Sequence, residues 1–190
     1  ADLDLKTYGF TDADMDTEFD VGSYKAGPAR MRLRDLVKSL QETYTGTLGA
    51  EYMYIADTAT KRFFQERLEP IRSRPTYAPE LRKHILERLT AAETLERYLH
   101  TKYVGQKRFS GEGGDTMIPM LDRLIEKAGA AGVKEIVMGM AHRGRLNVLV
   151  NILGKMPSDL FSEFEGKAAQ ALPAGDVKYH QGFSSDVSTP

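Results

Sequence analysis

VKEIVMGMAHRGR, the sequence of residues 133–145, joins an apolar run to a basic turn. The first eight of these residues are mostly apolar or β-branched, which is typical of a strand buried inside a sheet. A helix is predicted before this strand, ending near Gly129, and another is predicted after it, ending before Gly154. The succession of helix, strand and helix indicates an α/β domain, and the change of character at Gly105 places its beginning there.

The residues before this segment are predominantly helical in pattern. Apolar side chains recur every three or four residues from Leu33 to Tyr44 and again from about Thr58 to Leu68, which predicts two amphipathic helices. Pro79 predicts the first turn of a third helix, and the capping-box spacing of Thr90 and Glu93 predicts the start of a fourth. The apolar stripes place six side chains inside this helical unit: Leu33, Val37, Leu40, Phe64, Leu86 and Leu99.

Three regions follow from these patterns. They are an acidic arm or linker over residues 1–30, a small all-helical domain over 31–104, and the opening strands and helices of an incomplete parallel-sheet α/β domain over 105–190.

Composition excludes several classes of protein. The 190 residues are 41% hydrophobic and 28% charged, as in a globular chain. The formal net charge of −1 gives no overall field to hold nucleic acid or anionic lipid. Without cysteine the chain has no disulfide, thiolate nucleophile or cysteine-ligated metal. No apolar run approaches the roughly 18 residues of a spanning helix, and no targeting segment is present, so neither membrane nor nucleic acid is a predicted partner.

Two histidines follow predicted strand ends. His142 comes after the run 133–140, and His180 ends a short predicted strand that begins at Asp176. The interval between them fits a helix-bearing crossover between neighbouring parallel strands, so we expect both to face one cavity. Protonated imidazoles pair with carboxylates, and a neutral imidazole takes or gives a proton near pH 7. The alternative is that each histidine is bonded to a backbone carbonyl and is structural.

The turn after residues 133–140 is also basic. Ligands of open α/β sheets lie beyond the carboxyl ends of strands, where Arg143 can hold a phosphate or carboxylate through two parallel hydrogen bonds. Alternatively, Arg143 and Arg145 are solvated surface charges. The glycine-rich stretch 109–115 lacks the Gly-Lys-Ser/Thr ending of a phosphate loop and contains two acids, which excludes that motif. His84 and His100 lie within or at the end of predicted helices and are interpreted as structural.

Four blocks of the sequence together resemble a known family: GAEYMYI at 49–55, KRFS at 107–110, MGMAHRGRLNVL at 138–149 and GDVKYHQGFSSD at 175–186. The family is that of the thiamine-diphosphate-dependent first, decarboxylating component of 2-oxoglutarate dehydrogenase. The resemblance covers the chain from end to end and implies that it is an internal segment of a longer polypeptide. It would comprise the small helical domain and the opening of the diphosphate-binding α/β domain.

The resemblance also implies roles for individual residues. His142 and His180 would be catalytic and would bind 2-oxoglutarate and its decarboxylated intermediate, with Ser184 as a further substrate-binding residue. Arg143 would contact the cofactor. The cofactors would be thiamine diphosphate and Mg²⁺, whose magnesium ligands are expected beyond this chain, so the chain alone is expected to be inactive.

The family's reaction belongs to the citric acid cycle. A thiazolium ylid attacks the keto carbon of 2-oxoglutarate, carbon dioxide leaves, and the succinyl unit passes to a lipoyl group on dihydrolipoyl succinyltransferase. The full-length protein is expected to be a homodimer, cytoplasmic if bacterial and in the mitochondrial matrix if eukaryotic. A competing hypothesis is a non-catalytic helical interaction module whose α/β tail resembles the enzyme.

The chain departs from the family pattern in two respects: the Gly-Asp-Gly/Ala segment with its later Asn, which the resemblance implies for magnesium and diphosphate binding, is absent, and one loop differs. After Phe109 the family has Ser-Leu-Glu-Gly, whereas this chain has glycine at position 111. A flexible residue here replaces an apolar anchor, so we expect the packing of this loop to differ from that in the family.

Overall fold

The structure, a computed structural model, describes residues 3–106, 108–167 and 180–189. It divides into two compact units between Tyr77 and Ala78, which we call the N-terminal unit and the C-terminal unit. The predicted third helix falls in the C-terminal unit, whereas the sequence groups it with the helices before it. The domain limits drawn from the sequence stay a prediction.

The described part of the N-terminal unit contains a two-stranded sheet, two α-helices and two short 3-10 helices. Strand β1 (Glu18–Asp20) pairs antiparallel with β2 (Arg30–Arg32), and they precede α1 (Leu33–Tyr44) and α2 (Thr58–Leu68). Short 3-10 helices lie within the acidic arm at Leu5–Tyr8 and Asp12–Asp14. Both α-helices coincide with the predicted ones, and Asp57 caps α2 by accepting a 2.7 Å hydrogen bond from the Thr60 amide.

Among the described residues of the C-terminal unit the regular structure consists of four helices: α3 (Pro79–Lys102), α4 (Met117–Ala130), α5 (Arg145–Asn151) and α6 (Pro157–Phe164). The prediction of a new helix at Thr90 is wrong, because α3 continues through it. The Thr90 hydroxyl donates to the carbonyl of Leu86, one turn earlier, at 2.8 Å. The side chain therefore bonds within a continuous helix and does not cap a new one.

The predicted core side chains are found in three environments. Leu33 and Leu99 are buried, Val37, Leu40 and Phe64 are half-buried, and Leu86 is exposed. The expectation for Leu86 is therefore wrong.

The core of the C-terminal unit has two clusters, and α5 contributes to both. One cluster contains Leu95, Leu99, Leu146, Leu149, Leu160 and Phe164. The other contains Ala92, Ile118, Val148 and Ile152. Because α5 packs on both sides, the turn that precedes it is attached to a well-buried helix.

The predicted buried strand over 133–140 is wrong. In the part of the chain that the structure describes, these residues belong to no strand, and most of their side chains are exposed, with Val137 at 87%. A β-branched run becomes a buried strand only where neighbouring strands supply hydrogen bonds and cover. The described residues form a mixed, helix-rich fold with a small antiparallel sheet, which is compatible with the predicted α/β class. The parallel-sheet domain itself stays a prediction. The second predicted strand lies outside the described residues except for His180.

None of the described helices is both long and apolar enough to cross a membrane.

Candidate functional site

The structure brings the two predicted site histidines together. The ring centroids of His142 and His180 lie 5.9 Å apart, with their planes inclined at 30°. The His142 side chain is half-buried, and its ring lies 3.8 Å, centroid to centroid, from that of Phe109, while His180 is exposed. The expected proximity is observed, and the roles of both residues stay predictions.

A glycine shapes the turn that carries His142. Gly144 has a φ of 71°, in the left-handed region that favours glycine, and its amide donates to the Phe109 carbonyl at 3.0 Å. A Cβ at this position would lie 3.1 Å from the Cε of Met117 and 3.5 Å from the Cα of Gly111. A side chain would therefore both strain the backbone and crowd the loop that faces the turn.

Two guanidinium groups flank the histidine pair. Arg143 is exposed and donates to the Ser110 carbonyl at 2.9 Å. Arg145 donates to the carbonyl of His180 at 3.2 Å, which links the turn to the second histidine. A guanidinium has five N–H donors, so each has capacity left for an anion. Arg145 has a positioning contact that the sequence did not reveal.

Sequence reasoning missed a buried acidic residue close to this turn. Glu96 on α3 is only 3% exposed, and its carboxylate pairs with Arg108 at 2.6 Å. The other carboxylate oxygen accepts from the Gly111 amide at 3.1 Å and from Asn147 Nδ2 at 3.2 Å. The signal was available, because Glu96 occupies the inner stripe of the helix formed by Ala92, Leu95 and Leu99.

A buried lysine fixes the segment that carries His180. The Lys155 ammonium pairs with Glu163 at 2.8 Å and donates to the side-chain oxygen of Gln181. The Ser185 hydroxyl donates to the Leu153 carbonyl at 2.6 Å. These contacts attach residues 181–185 to α6 and to the segment between α5 and α6, so the residues that follow His180 in the sequence are fixed.

Ser184 lines a separate feature. It is exposed and lies along a groove of about 700 Å³ that residues 133–138 and 183–187 line. The part of Ser184 in substrate binding stays a prediction. His84, interpreted as structural, bonds to Asp122 on α4 at 2.6 Å.

The described residues do not fit a magnesium site. Within 3–106, 108–167 and 180–189 there is no group of three or more His, Asp or Glu side chains that could hold a metal ion. Mg²⁺ prefers nearly octahedral oxygen ligands, and carboxylates usually supply some of them. The part of the chain that the structure describes therefore supplies no ligand set for Mg²⁺.

Comparison with known proteins identifies the family. No protein-family model matches the chain. The chain is 64% identical to the 2-oxoglutarate dehydrogenase E1 component of Cupriavidus necator, an alignment covering 99% of this chain and 20% of the relative. It is 54% identical to the E1 component of Azotobacter vinelandii over 100% of this chain and 20% of that protein. It is also 46% identical to the 2-oxoglutarate dehydrogenase E1/E2 component of Corynebacterium glutamicum, over 95% and 15%.

The chain spans about a fifth of the length of the first two relatives. These identities, extending over almost every residue, confirm the resemblance of the four sequence blocks. The chain belongs to the family of 2-oxoglutarate dehydrogenase E1 components, of which it represents a segment.

Proposed function

We propose that this segment supplies the substrate-binding histidine pair of an enzyme that decarboxylates 2-oxoglutarate. In the whole protein this activity would be the oxidative decarboxylation step of the citric acid cycle, with transfer of the succinyl group to a lipoyl domain. The observation that carries the proposal is the 5.9 Å separation of the His142 and His180 rings. The two residues are far apart in the sequence, and folding places them beside each other.

The chemistry of the pair suits a dicarboxylate. A protonated imidazole forms a charge-assisted hydrogen bond with a carboxylate, and such bonds are roughly twice as strong as neutral ones. Arg143 and Arg145 add positive charge on the same turn, which favours an anion at this place. Imidazole is also a common general acid or base in enzymes, which suits proton transfer to or from a substrate. Of the two histidines, His142 is the better candidate for orienting the substrate, because the Phe109 ring packs against its imidazole.

Thiamine diphosphate and Mg²⁺ are proposed as the cofactors on the strength of the family resemblance. Bound thiamine diphosphate supplies the carbanion and the electron sink that decarboxylation requires. Arg143 is the residue proposed to contact the cofactor, through guanidinium donors beyond the one that it gives to Ser110. The magnesium ligands would come from other parts of the polypeptide.

The proposed partner is a lipoyl-bearing dihydrolipoyl succinyltransferase. The name of the Corynebacterium glutamicum relative joins E1 and E2 in one component, which supports an association of this kind. A homodimer is proposed for the full-length protein. The relatives named above are bacterial, which favours the cytoplasm over the mitochondrial matrix as its location.

Replacement of each histidine by alanine in the full-length protein tests the proposal. His142→Ala or His180→Ala removes a charged hydrogen bond worth roughly 1.5–3 kcal/mol, so kcat/KM for 2-oxoglutarate should fall about ten- to a hundredfold. The matched control is His100→Ala, which changes an exposed histidine in the last turn of α3. Unchanged turnover in both site variants would contradict the proposed roles.

The competing hypothesis of a non-catalytic interaction module makes a different prediction. On that hypothesis full-length protein would not bind 2-oxoglutarate in isothermal titration. Identity over almost the whole chain to proteins named as E1 components favours the enzyme. We further propose that the chain alone neither holds thiamine diphosphate tightly nor releases carbon dioxide. Micromolar binding of thiamine diphosphate in the presence of magnesium, detected as thermal stabilisation of the purified chain, would contradict this. Measurable release of carbon dioxide from 2-oxoglutarate would contradict it as well.

A further inference from the structure

One buried carboxylate holds the loop 108–111 at both ends. The guanidinium of Arg108, at the beginning of the loop, pairs with Glu96 at 2.6 Å, and the amide of Gly111, at its end, donates to the same carboxylate at 3.1 Å. Both side chains of the ion pair are largely buried. Water therefore competes little for these bonds, and the interaction is stronger than at a surface.

Loop 108–111 also contacts the turn that carries His142. The Phe109 ring packs on the imidazole with a centroid distance of 3.8 Å. The Phe109 carbonyl accepts from the Gly144 amide at 3.0 Å, and the Ser110 carbonyl accepts from Arg143 at 2.9 Å. The position of the turn thus depends on the loop, and the position of the loop depends on Glu96.

A second path leads from Glu96 to the helix behind the turn. Asn147, buried in α5, donates to the Glu96 carboxylate at 3.2 Å and to the Ala92 carbonyl at 2.9 Å. Its side-chain oxygen accepts from Asn151 at 2.7 Å. The first turn of α5 is therefore fixed against α3 by the same carboxylate that fixes the loop.

We propose that Glu96 is a positioning residue that fixes the orientation of the His142 imidazole toward substrate. This inference rests on the proposed function of the histidine pair and extends it to a residue on another helix. A carboxylate is required because it neutralises Arg108 with one oxygen and accepts from two N–H groups with the other. The amide of a glutamine would place N–H donors or an uncharged oxygen beside the buried guanidinium, which leaves that charge uncompensated.

A double-mutant cycle in the full-length enzyme, loaded with its cofactors, tests the inference. The variants are Glu96→Gln, His142→Ala and the combination of both, and kcat/KM for 2-oxoglutarate is measured for each. A misplacement of about 1 Å in a catalytic arrangement can cost on the order of a hundredfold, so Glu96→Gln should lower kcat/KM by tenfold or more. In the His142→Ala background the same change should cost less than about twofold, because the group that it positions is gone.

Additive losses in the two backgrounds would overturn the inference, since a residue that only stabilises the fold has the same effect in both. If Glu96→Gln fails to fold, the cycle is run with Arg108→Lys. This variant keeps a cation for Glu96 but loses the planar guanidinium geometry. Additive losses in kcat/KM would again contradict the positioning role, so either cycle tests it.

One further variant, together with the single variants of the cycle, separates the possible failures. Glu93→Gln, one turn earlier on α3, removes an exposed carboxylate that pairs with Arg97 at 3.6 Å, and it should leave kcat/KM unchanged. If His142→Ala alone has no effect on kcat/KM, the proposed function itself fails. If His142→Ala lowers kcat/KM but the losses are additive, only the positioning role of Glu96 fails.

Discussion

Each unit of the molecule buries a glutamate, and the two are satisfied in different ways. Glu69 in the N-terminal unit is 2% exposed and accepts 2.6 Å hydrogen bonds from the Tyr44 hydroxyl and the Lys25 amide. Among the described residues no side-chain cation lies within ion-pair distance of it. Glu96 in the C-terminal unit is buried to the same degree and pairs with the guanidinium of Arg108.

The difference in partners distinguishes Glu69, which is structural, from Glu96, which is linked to the candidate site. Neutral donors connect Glu69 to α1 and, through Tyr44, to the hydroxyl of Tyr52 at 2.7 Å, all within the N-terminal unit. The Glu96 ion pair lies behind the loop that contacts His142. Removing one member of a buried ion pair leaves an uncompensated charge, which costs more than removing a neutral donor. The two networks should therefore respond differently to matched substitutions.

The largest effect is expected at Arg108. Arg108→Met leaves the Glu96 carboxylate buried without its cation, which should lower the free energy of unfolding of the C-terminal unit by about 3–5 kcal/mol. Hydrogen exchange of the α3 and α5 amides measures this loss locally. Arg97→Met is the control, because Arg97 is exposed in its pair with Glu93 and its removal should change stability by less than about 0.5 kcal/mol. Equal losses of stability in the two variants would show that the buried Glu96–Arg108 pair contributes no more than an exposed ion pair.

A smaller effect is expected in the neutral network. Tyr44→Phe removes one of two donors to Glu69 and the partner of the Tyr52 hydroxyl, which should cost about 1–3 kcal/mol. Exchange of the α1 amides reports the change. Tyr54→Phe serves as the matched control, because Tyr54 is 82% exposed. A loss at Tyr44 as large as that at Arg108 would show that charge pairing is not what distinguishes the two glutamates.

The neutral network also predicts a dependence on alkaline pH. Burial raises the pKa of the Tyr44 hydroxyl well above its ordinary value, and the hydrogen bond to Glu69 raises it further. An unfolded tyrosine loses its proton near pH 10, whereas folded Tyr44 keeps it, so the unfolded state binds fewer protons above that pH. The stabilisation is complete below pH 10 and decreases as pH rises, by about 1.4 kcal/mol for each unit.

Comparison of Tyr44→Phe with the Tyr54→Phe control isolates this contribution. The unfolding free energy of the control should decrease more steeply between about pH 10 and 11 than that of Tyr44→Phe. Parallel curves for the two variants would mean that Tyr44 ionises as easily in the folded unit as in the unfolded chain.

The sequence predicted those parts of the fold that depend on local pattern. Helices α1, α2 and α6 could be predicted because their apolar periodicity and first-turn residues are local signals. The run 133–140 could not, because a strand requires neighbouring strands that supply hydrogen bonds and cover. The prediction of a helix start at Thr90 was wrong for a related reason. The Thr90 hydroxyl bonds within a continuous helix, whereas the same residue types in another context would cap a new helix.

The candidate site was predicted only as far as residue chemistry allows. His142 and His180 were found because each follows a predicted strand and precedes turn residues. Glu96 was missed although it lies on the inner stripe of α3, because charged residues are usually exposed, and Lys155, between α5 and α6, gives no sequence signal of its burial. Their partners, Arg108 and Gln181, are distant enough in the sequence that no spacing rule connects them.

The smallest effect is expected at Gly111, where the family resemblance predicts leucine. The φ of Gly111 lies outside the left-handed region, and a Cβ would meet Gly144 Cα at 3.5 Å and Glu96 Oε1 at 3.6 Å, which are ordinary contacts. Gly111→Ala should therefore restrict the unfolded chain without straining the loop, and stabilise the C-terminal unit by about 0.4–1 kcal/mol. Gly144→Ala should destabilise it, because of the positive φ and the 3.1 Å approach to Met117. Denaturant midpoints at equal m-values compare the two variants. Destabilisation by Gly111→Ala would mean that the Glu96 carboxylate leaves no room for a methyl group, and that the loop is held more tightly than these distances indicate.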